Sequence, residues 1–265
     1  MNSAIEGMML NSQIKQAYQS YFAFNNQRTL STSLPSELTI TESEDVTLYK
    51  DKTRRYDNQV VIHSLIALNQ LEECLLQYQS HWSPEICVEP AAKTDELATW
   101  LGDRGFQPSY QHEFLHLQAH DYASVPNTPQ GVTIERWKAD KADAFFELLQ
   151  ASGLVCPDDT WQQKRTFYCT EQFRCFVAKI DGKACAWATS YLISDHAILA
   201  NAFTFEQARG QGCQTALLNA RITDAIDLGA RELLTDVMPN SVSSRNCHSV
   251  GFTSLGIRAV WEQEQ

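Results

Sequence analysis

The sequence lacks the features that mark several protein classes. No run of about 18 apolar residues occurs in the 265-residue chain, so no membrane-spanning helix is expected. The N-terminus, MNSAIEGMMLNSQIKQ, has no basic segment followed by an apolar one, which predicts a chain without a signal peptide. None of the eight cysteines forms a C-x-x-C pair. This favours reduced, mostly buried thiols in a cytoplasmic protein over a disulfide or zinc framework.

The chain also lacks the basic charge of a general nucleic-acid-binding protein. Its formal net charge is −11, which argues against broad affinity for phosphate backbones. An acidic balance is compatible with a cationic substrate, although most acidic proteins are acidic only for solubility. With 43% apolar and 20% charged residues the composition is that of a soluble globular protein, of a length that allows two domains.

Residues 123–130 are the clearest linker, because ASVPNTPQ combines two prolines with small polar residues. The segment 131–265 that follows predicts the order strand, helix, helix, three strands, helix, strand, helix, strand. Asp140 and the pair Asp158 and Asp159 are candidate N-caps for the first two helices. The strands FRCFVAKI and KACAWATSYLI meet at Asp181-Gly182, a strong hairpin signal.

The segment 1–122 has the pattern of a degenerate copy of the C-terminal part of the second half. QVVIHSL and PEICVEP are strand-like, and NQLEECLLQYQSHW and KTDELATWLGDR are helical in pattern. Gly105-Phe106 follows the last of these helices, as Gly251-Phe252 follows the last helix of the second half. We therefore predict two tandem modules, each ending in a closing strand.

The sequence HEFLH, residues 112–116, has the H-E-x-x-H pattern of zinc peptidases. That pattern binds a metal only on a helix, where the two histidines share one face a single turn apart. Pro108 lies just upstream, no cap precedes His112, and the correspondence with the second half places the segment in a closing strand. In a strand, residues four apart are separated by about 13 Å. We therefore expect solvent-facing strand histidines and no metal site.

The strongest chemical signal is QARGQG, residues 207–212, between a predicted strand and an amphipathic helix. Glycines allow successive backbone N–H groups to point at phosphate oxygens, and a helix that starts near Cys213 adds its positive N-terminal end. Arg209 supplies a further positive charge. A structural turn with the same glycines is the alternative interpretation of this hexapeptide.

With this context the sequence resembles the GNAT superfamily of acyl-CoA-dependent N-acetyltransferases. That family carries [QR]-x-x-G-x-[GA] after its fourth strand, and further on an Asn, a small residue, a Tyr and a Gly-Phe pair. Here Asn240, Ser243, Cys247 and Gly251-Phe252 occupy that spacing. The resemblance implies an α+β fold, a mixed sheet with helices on both faces, for 131–265. By analogy, 1–122 is a degenerate GNAT-like module, which lacks the Gly-rich loop and binds no CoA.

The resemblance also implies a site for acetyl-CoA. The pyrophosphate is expected on the amides of 208–213, and the pantetheine arm is expected along the edge of 201–205, where a backbone N–H polarises the thioester carbonyl. The candidate cofactor-binding residues are Phe203, Thr204, Phe205, Gln207, Ala208, Arg209, Gly210, Gln211, Gly212, Cys213, Asn240, Ser243 and Asn246.

Two residues are candidates for proton transfer. The family commonly uses a Tyr to protonate the departing thiolate, and here that position is Cys247, for which simple packing is the alternative role. Asp236, at the end of a predicted strand, is the candidate base, with Glu206 as a further carboxylate beside the loop. Each carboxylate also fits a structural or surface role.

The resulting hypothesis is a cytoplasmic N-acetyltransferase that moves an acetyl group from acetyl-CoA to a small-molecule or peptide amine by direct attack, with a homodimer as a possible assembly. A non-catalytic acyl-CoA-binding or interaction protein is the alternative, because the family's Tyr is replaced and the first half is degenerate. A zinc metallopeptidase is a weak third reading of HEFLH. The residues do not identify the acceptor amine.

Overall fold

The computed structural model of the chain describes residues 2–78, 82–123 and 129–263. The helices are α1 (Asn2–Arg28), α2 (Leu68–Leu76), α3 (Asp95–Asp103), α4 (Ala142–Ala151), α5 (Asp158–Lys164), α6 (Cys213–Asp227) and α7 (Val242–Ser249). The strands are β1 (Thr39–Glu42), β2 (Val46–Lys50), β3 (Gln59–Ile62), β4 (Glu85–Val88), β5 (Phe106–Gln118), β6 (Val132–Trp137), β7 (Phe173–Ile180), β8 (Lys183–Ile193), β9 (His196–Thr204), β10 (Glu232–Val237) and β11 (Thr253–Gln263). The predicted element order of 131–265 is confirmed, and so is the order of the elements predicted for 59–118, whereas α1, β1 and β2 were not predicted.

The described residues divide into two compact units that are interleaved along the sequence. Unit 1 takes them from Met1–Ser33, Leu115–Thr235 and Arg245–Thr253, and unit 2 from Leu34–Phe114, Asp236–Ser244 and Ser254–Gln265. Most of the predicted linker, 124–128, lies outside the described residues. The division into modules 1–122 and 131–265 therefore stays a prediction, distinct from these two units.

Unit 1 is built on the strand order β10-β9-β8-β7-β6, in which β10 and β9 are parallel and the other neighbours antiparallel. Because successive strand residues face opposite sides, Val177 packs under α4 and α5 while Ala178 packs under α6. Alanines at positions such as 186 and 188 let α6 lie close to the sheet. The last residues of β5 also join unit 1, and directly after the strand the N–H of Ala119 donates to the carbonyl of Arg231 at 2.8 Å.

Helix α1, to which the sequence pattern assigned no element, belongs to the core of unit 1. Phe24 lies with its ring centre 4.8 Å from that of Tyr191 and 5.2 Å from that of Phe173. The guanidinium of Arg28 lies 4.3 Å from the centre of the Phe173 ring and donates to the hydroxyl of Tyr168 at 3.0 Å. The first helix thus covers apolar surface that the second half alone leaves open.

Unit 2 carries the order β1-β2-β3-β4-β11, with β3 and β4 parallel, and the first part of β5 beyond β11. Strands β3 and β4 contribute buried residues such as Val60 and Ile86, against which Leu71 of α2 and Leu101 of α3 pack. The closing strand that pairs with β4 is thus β11, in the register Val260↔Cys87. Across the described residues, no helix combines the length and the apolar content needed to cross a membrane.

Three local predictions need correction. Asp140 does not cap α4, because a 3-10 turn over Ala139–Lys141 precedes that helix. Asp158 and Asp159 do not cap α5 either. They lie in its first turn, where the negative carboxylates interact favourably with the positive end of the helix dipole. Helix α2 ends at Leu76, earlier than predicted. All eight cysteines are free in the structure, and all are buried, as the sequence predicted for most of them.

The fragment 131–265 tests whether the second half folds alone. Without α1 and β5 it exposes the rings of Phe173 and Tyr191 and the outer side of β10. We therefore expect helical far-UV circular dichroism but weak near-UV signals and aggregation. The full chain is the control, and a fragment with dispersed NMR signals and cooperative unfolding would contradict the expectation.

Candidate functional site

The loop between β9 and α6 has the conformation that its glycines predict. Gly210 and Gly212 have φ angles of +76° and +80°, and α6 begins directly afterwards at Cys213. In the 3-10 turn before them, the N–H of Ala208 donates to the carbonyl of Phe205 and that of Arg209 to Glu206. The expectation that all amides of 208–213 face a ligand is therefore wrong for these two, because they close the turn.

The remaining amides of the loop lack acceptors. Within the described part of the chain, the N–H groups of Gly210, Gln211, Gly212 and Cys213 donate no hydrogen bond, and the first bond of the helix runs from Ala216 to the carbonyl of Gly212. These amides stand at the N-terminus of a 15-residue helix, where its dipole is positive. The arrangement is chemically suited to binding an anion.

Position 212 requires glycine for two reasons: its φ angle is positive, and Pro129 lies too close to leave room for a Cβ atom. A Cβ atom at this position would lie 2.3 Å from Cγ of Pro129, which packs on the loop. A Cβ atom at Gly210 would meet nothing within 4 Å. The space beside Gly210 is therefore open, while the space beside Gly212 is occupied by the chain itself.

Two side-chain contacts hold the loop and its helix. The Nε2 of Gln211 donates to the carbonyl of Gln207 at 2.9 Å, and the Nδ2 of Asn246 in α7 donates to Oε1 of Gln214 in α6 at 3.0 Å. Arg209 is exposed. Asn246, a predicted ligand residue, thus links the two helices beside the loop.

Strands β9 and β10 separate shortly before this loop. Their parallel pairing includes only Glu232↔His196, Leu233↔Ala197 and Leu234↔Ile198. One residue further, Oγ1 of Thr235 donates to the carbonyl of Leu199 at 2.8 Å, so a side chain takes the place of the backbone ladder.

The outer edge of β9 beyond this point presents backbone groups. The N–H of Phe205 donates to the carbonyl of Cys185 in β8 at 3.0 Å. Because bonding directions alternate along an antiparallel pair, the N–H of Thr204 points away from β8. The edge at Thr204 thus offers a donor and an acceptor group with which an extended ligand can pair.

Arg221 of α6 donates hydrogen bonds to the sheet close to the point where β9 and β10 separate. The register of β8 and β9 shifts between Ala188 and Ser190. There Nη1 of Arg221 donates to the carbonyls of Thr189 and Ala200, at 3.1 Å each, and Nε donates to its own helix at Leu217. The residue is 4% exposed, and burial lowers the pKa of its guanidinium to about 10.

The guanidinium also acts on Cys247, the predicted proton donor. The side chain of Cys247 is buried on the part of α7 that belongs to unit 1, and it interacts electrostatically with Arg221. Sequence reasoning missed Arg221, although a signal was present. Leu217, Leu218, Ile222 and Ala225 form the apolar stripe of α6, and position 221 lies within that stripe.

The other predicted site residues, Asp236, Asn240 and Ser243, belong to unit 2. Asn240 is exposed and has a φ angle of +60°, in a tight turn before α7. The Oδ2 atom of Asp236 lies 2.9 Å from Nδ1 of His112. The candidate base is therefore in contact with the first histidine of HEFLH.

The HEFLH segment lies in β5, so the strand prediction is confirmed. Each histidine faces its own carboxylate: His112 contacts Asp236, and Nε2 of His116 bonds to Glu232. Among the described residues, no group of three potential metal ligands occurs. The expectation that both histidines face solvent is wrong for His116, which is buried and bonded to Glu232 of the neighbouring strand β10.

Comparison with known proteins agrees with this geometry. Residues 142–252 match the Acetyltransferase (GNAT) family. The chain therefore carries an acetyltransferase domain of the GNAT family. The predicted assignment to this family, as a GNAT-type acyltransferase, is confirmed. No curated protein matches the sequence.

Solved structures show the same fold over most of the chain. A GCN5-related N-acetyltransferase from Kribbella flavida aligns with a TM-score of 0.61 and 14% identity, over 86% of this chain and 90% of its own. One from Sphaerobacter thermophilus gives 0.63 and 13%, over 83% and 80%. A tandem GNAT protein from the clavulanic acid biosynthesis pathway gives 0.54 and 13%, over 82% and 77%. The predicted GNAT-like fold with a mixed sheet is thereby confirmed.

Replacing Arg221 tests its structural role. We expect Arg221→Met to lower the free energy of unfolding by about 3 kcal/mol, because the carbonyls of Thr189 and Ala200 lose their buried donor. Arg231→Met, at an exposed arginine, is expected to stay within about 0.5 kcal/mol of the unchanged chain. Urea denaturation of both variants measures the difference, and equal stabilities would show that the two carbonyls need no donor.

Proposed function

We propose that the chain transfers an acetyl group from acetyl-CoA to an amine. The observation that carries this proposal is the row of amides at 210–213, which have no acceptor among the described residues and stand at the N-terminus of α6, next along the chain to the open edge of β9. The GNAT domain supports acyl transfer, and the acetyl-CoA donor is typical of that family. No metal enters the proposed reaction.

In this proposal the cofactor binds first to the loop before α6 and then along the edge of β9. The amides of 210–213 take the pyrophosphate, with the charge of Arg209 nearby, and the pantetheine arm pairs with the edge of Phe203 and Thr204. The N–H of Thr204 is placed to polarise the thioester carbonyl. The proposed cofactor residues remain those of the sequence prediction: Phe203, Thr204, Phe205, Gln207, Ala208, Arg209, Gly210, Gln211, Gly212, Cys213, Asn240, Ser243 and Asn246.

The proposed chemistry is direct attack in a ternary complex. The amine loses a proton, its nitrogen attacks the thioester carbon, and the carbon–sulfur bond breaks. Cys247 is proposed to protonate the departing sulfur, and Asp236 to serve the deprotonation step. Arg221 supports Cys247 in this role, because its buried guanidinium has no carboxylate partner among the described residues and so favours negative charge on neighbouring sulfur.

The acceptor is proposed to be a small-molecule or peptide amine, and the net charge of −11 suits a cationic one. Cytoplasmic location and a homodimer remain predictions. A non-catalytic acyl-CoA-binding protein is the second candidate, since Cys247 stands where the family commonly has Tyr. Release of free thiol from acetyl-CoA in the presence of an amine panel separates the two candidates.

A glycine pair tests the cofactor site. Gly210→Asp places a carboxylate where the pyrophosphate is expected, so we predict loss of CoA binding by isothermal titration calorimetry, against one site per unchanged chain. Gly229→Asp is the matched control, because Gly229 has a φ angle of +92°, open space around it, and a place at the far end of α6. Equal losses in both variants would point to strain rather than to charge, and two sites per chain would show a CoA site in the first half.

A single substitution tests the proton donor. We expect Cys247→Ala to lower kcat by about 10²-fold with little change in acetyl-CoA affinity, as removal of a general acid does. Cys247→Tyr restores the family's usual donor and is expected to retain more activity than Cys247→Ala. A small loss that follows thermal stability would instead assign Cys247 to packing and the proton to water.

A further inference from the structure

Pro129 packs against the backbone of the loop that precedes α6. A Cβ atom at Gly212 would lie 2.3, 3.2 and 3.6 Å from Cγ, Cβ and Cδ of Pro129. The proline ring therefore fills the side of Gly212 on which every other residue type carries its side chain. At Gly210 the corresponding space is open. Pro129 and Gly212 both belong to unit 1, so the contact lies within one compact unit.

Pro129 is itself fixed to the sheet. Its carbonyl accepts a hydrogen bond from the N–H of Val132 at 3.0 Å, which closes a β-turn whose third residue, Gly131, has a φ angle of +85°. Val132 is the first residue of β6, is 7% exposed and belongs to the apolar cluster that also contains Ala216 of α6. A proline ring is closed on the backbone and has no rotamers to lose. The contact with Gly212 therefore comes from a rigid group at a fixed place.

Gly212 determines the direction of two amides that have no acceptor among the described residues. Its own N–H precedes its Cα atom and the N–H of Cys213 follows it, so the φ and ψ angles of Gly212, 80° and 5°, orient the two groups relative to each other. A glycine by itself populates negative φ angles as readily as positive ones. The ring of Pro129 blocks those rotations that would turn a peptide group of Gly212 toward it.

Buried side chains anchor the loop on both sides of the exposed residues Gly210 and Gln211. Ala208 is 3% exposed and Cys213 is 1% exposed, and both belong to the apolar cluster under α6. The Sγ atom of Cys213 lies 3.6 Å from that of Cys185 in β8. Pro129 adds a contact between these anchors, in the part of the loop whose amides are proposed to bind the pyrophosphate.

We propose that Pro129 is a positioning residue for the pyrophosphate of acetyl-CoA. By packing on Gly212, it holds the N–H groups of Gly212 and Cys213 in one direction before the cofactor binds, so that binding has less of the chain to order. Pro129 donates nothing to the ligand itself, because proline has no N–H. This inference rests on the proposed function, and it gives the end of the linker segment 123–130 a role in cofactor affinity.

Titration calorimetry of the full chain with acetyl-CoA tests this role. Pro129→Ala removes Cγ, the ring atom nearest to Gly212, and is expected to weaken binding by about 10-fold, because the freed backbone must be ordered again. At saturating acetyl-CoA, kcat is expected to be unchanged. Pro157→Ala is the matched control at an exposed proline of unit 1, before α5, and is expected to leave the affinity unchanged. Unchanged affinity in Pro129→Ala, or an equal loss in both variants, overturns the role.

A substitution in two backgrounds tests the contact itself. Gly212→Ala introduces a Cβ atom against the ring of Pro129 and is expected to weaken acetyl-CoA binding by about 10²-fold or more. In the Pro129→Gly background no ring atom meets the new methyl group. The same change is then expected to cost only about 10-fold, from the positive φ angle alone. Equal losses in the two backgrounds would show that the ring does not constrain Gly212.

Nitrogen-15 relaxation of the ligand-free full chain gives a readout that is independent of binding. In Pro129→Ala the amides of Gly212 and Cys213 are expected to gain fast motion, seen as lower heteronuclear NOE values, while that of Ala225 within α6 stays unchanged. Unchanged relaxation at both amides overturns the positioning role even if the affinity falls. If the unchanged chain binds no acetyl-CoA, the proposed function and the positioning of the cofactor fail together, whereas the relaxation data still report whether the ring holds the loop.

Discussion

Arg221 places a buried guanidinium against the carbonyls of Thr189 and Ala200, at the point where β8 and β9 change register. A register shift leaves backbone groups without their ladder partners, and buried groups of this kind are costly unless a side chain satisfies them. By satisfying them, Arg221 stabilises the start of the stretch of β9 that continues, paired with β8, beyond its last pair with β10. The open edge of β9 lies on this stretch, and the loop follows it.

The same separation brings two kinds of donor into one continuous stretch of chain. The edge of β9 offers amides such as that of Thr204 in a direction set by strand alternation. The loop offers the amides of Gly210 to Cys213 in a direction set by left-handed glycines and a helix start. A long ligand with an amide-rich arm and a phosphate-rich end fits such a sequence of donors. This correspondence supports the proposal of an acyl-CoA donor.

The loop and the element order were predictable from the sequence because each has a local cause. Glycine at 210 and 212 and the apolar stripe of α6 determine the turn and the helix without help from distant residues. Helix α1 was not predictable in this way, because the role of its aromatic residues becomes clear only from their packing against Tyr191 and Phe173. The positions of His112 and Asp236 likewise depend on which strands become neighbours. That is a property of topology, and local pattern does not contain it.

HEFLH illustrates how conformation decides the chemistry of a motif. On a helix, its two histidines would converge on one metal ion. On β5 they diverge, and each turns to a carboxylate of its own, Asp236 or Glu232. Glu113 points to the opposite face of the strand, where it accepts a hydrogen bond from Ser244 at 2.8 Å. The residues of the motif thus acquire three separate partners. A buried pair, a structural carboxylate and a half-exposed imidazole take the place of one chelating set.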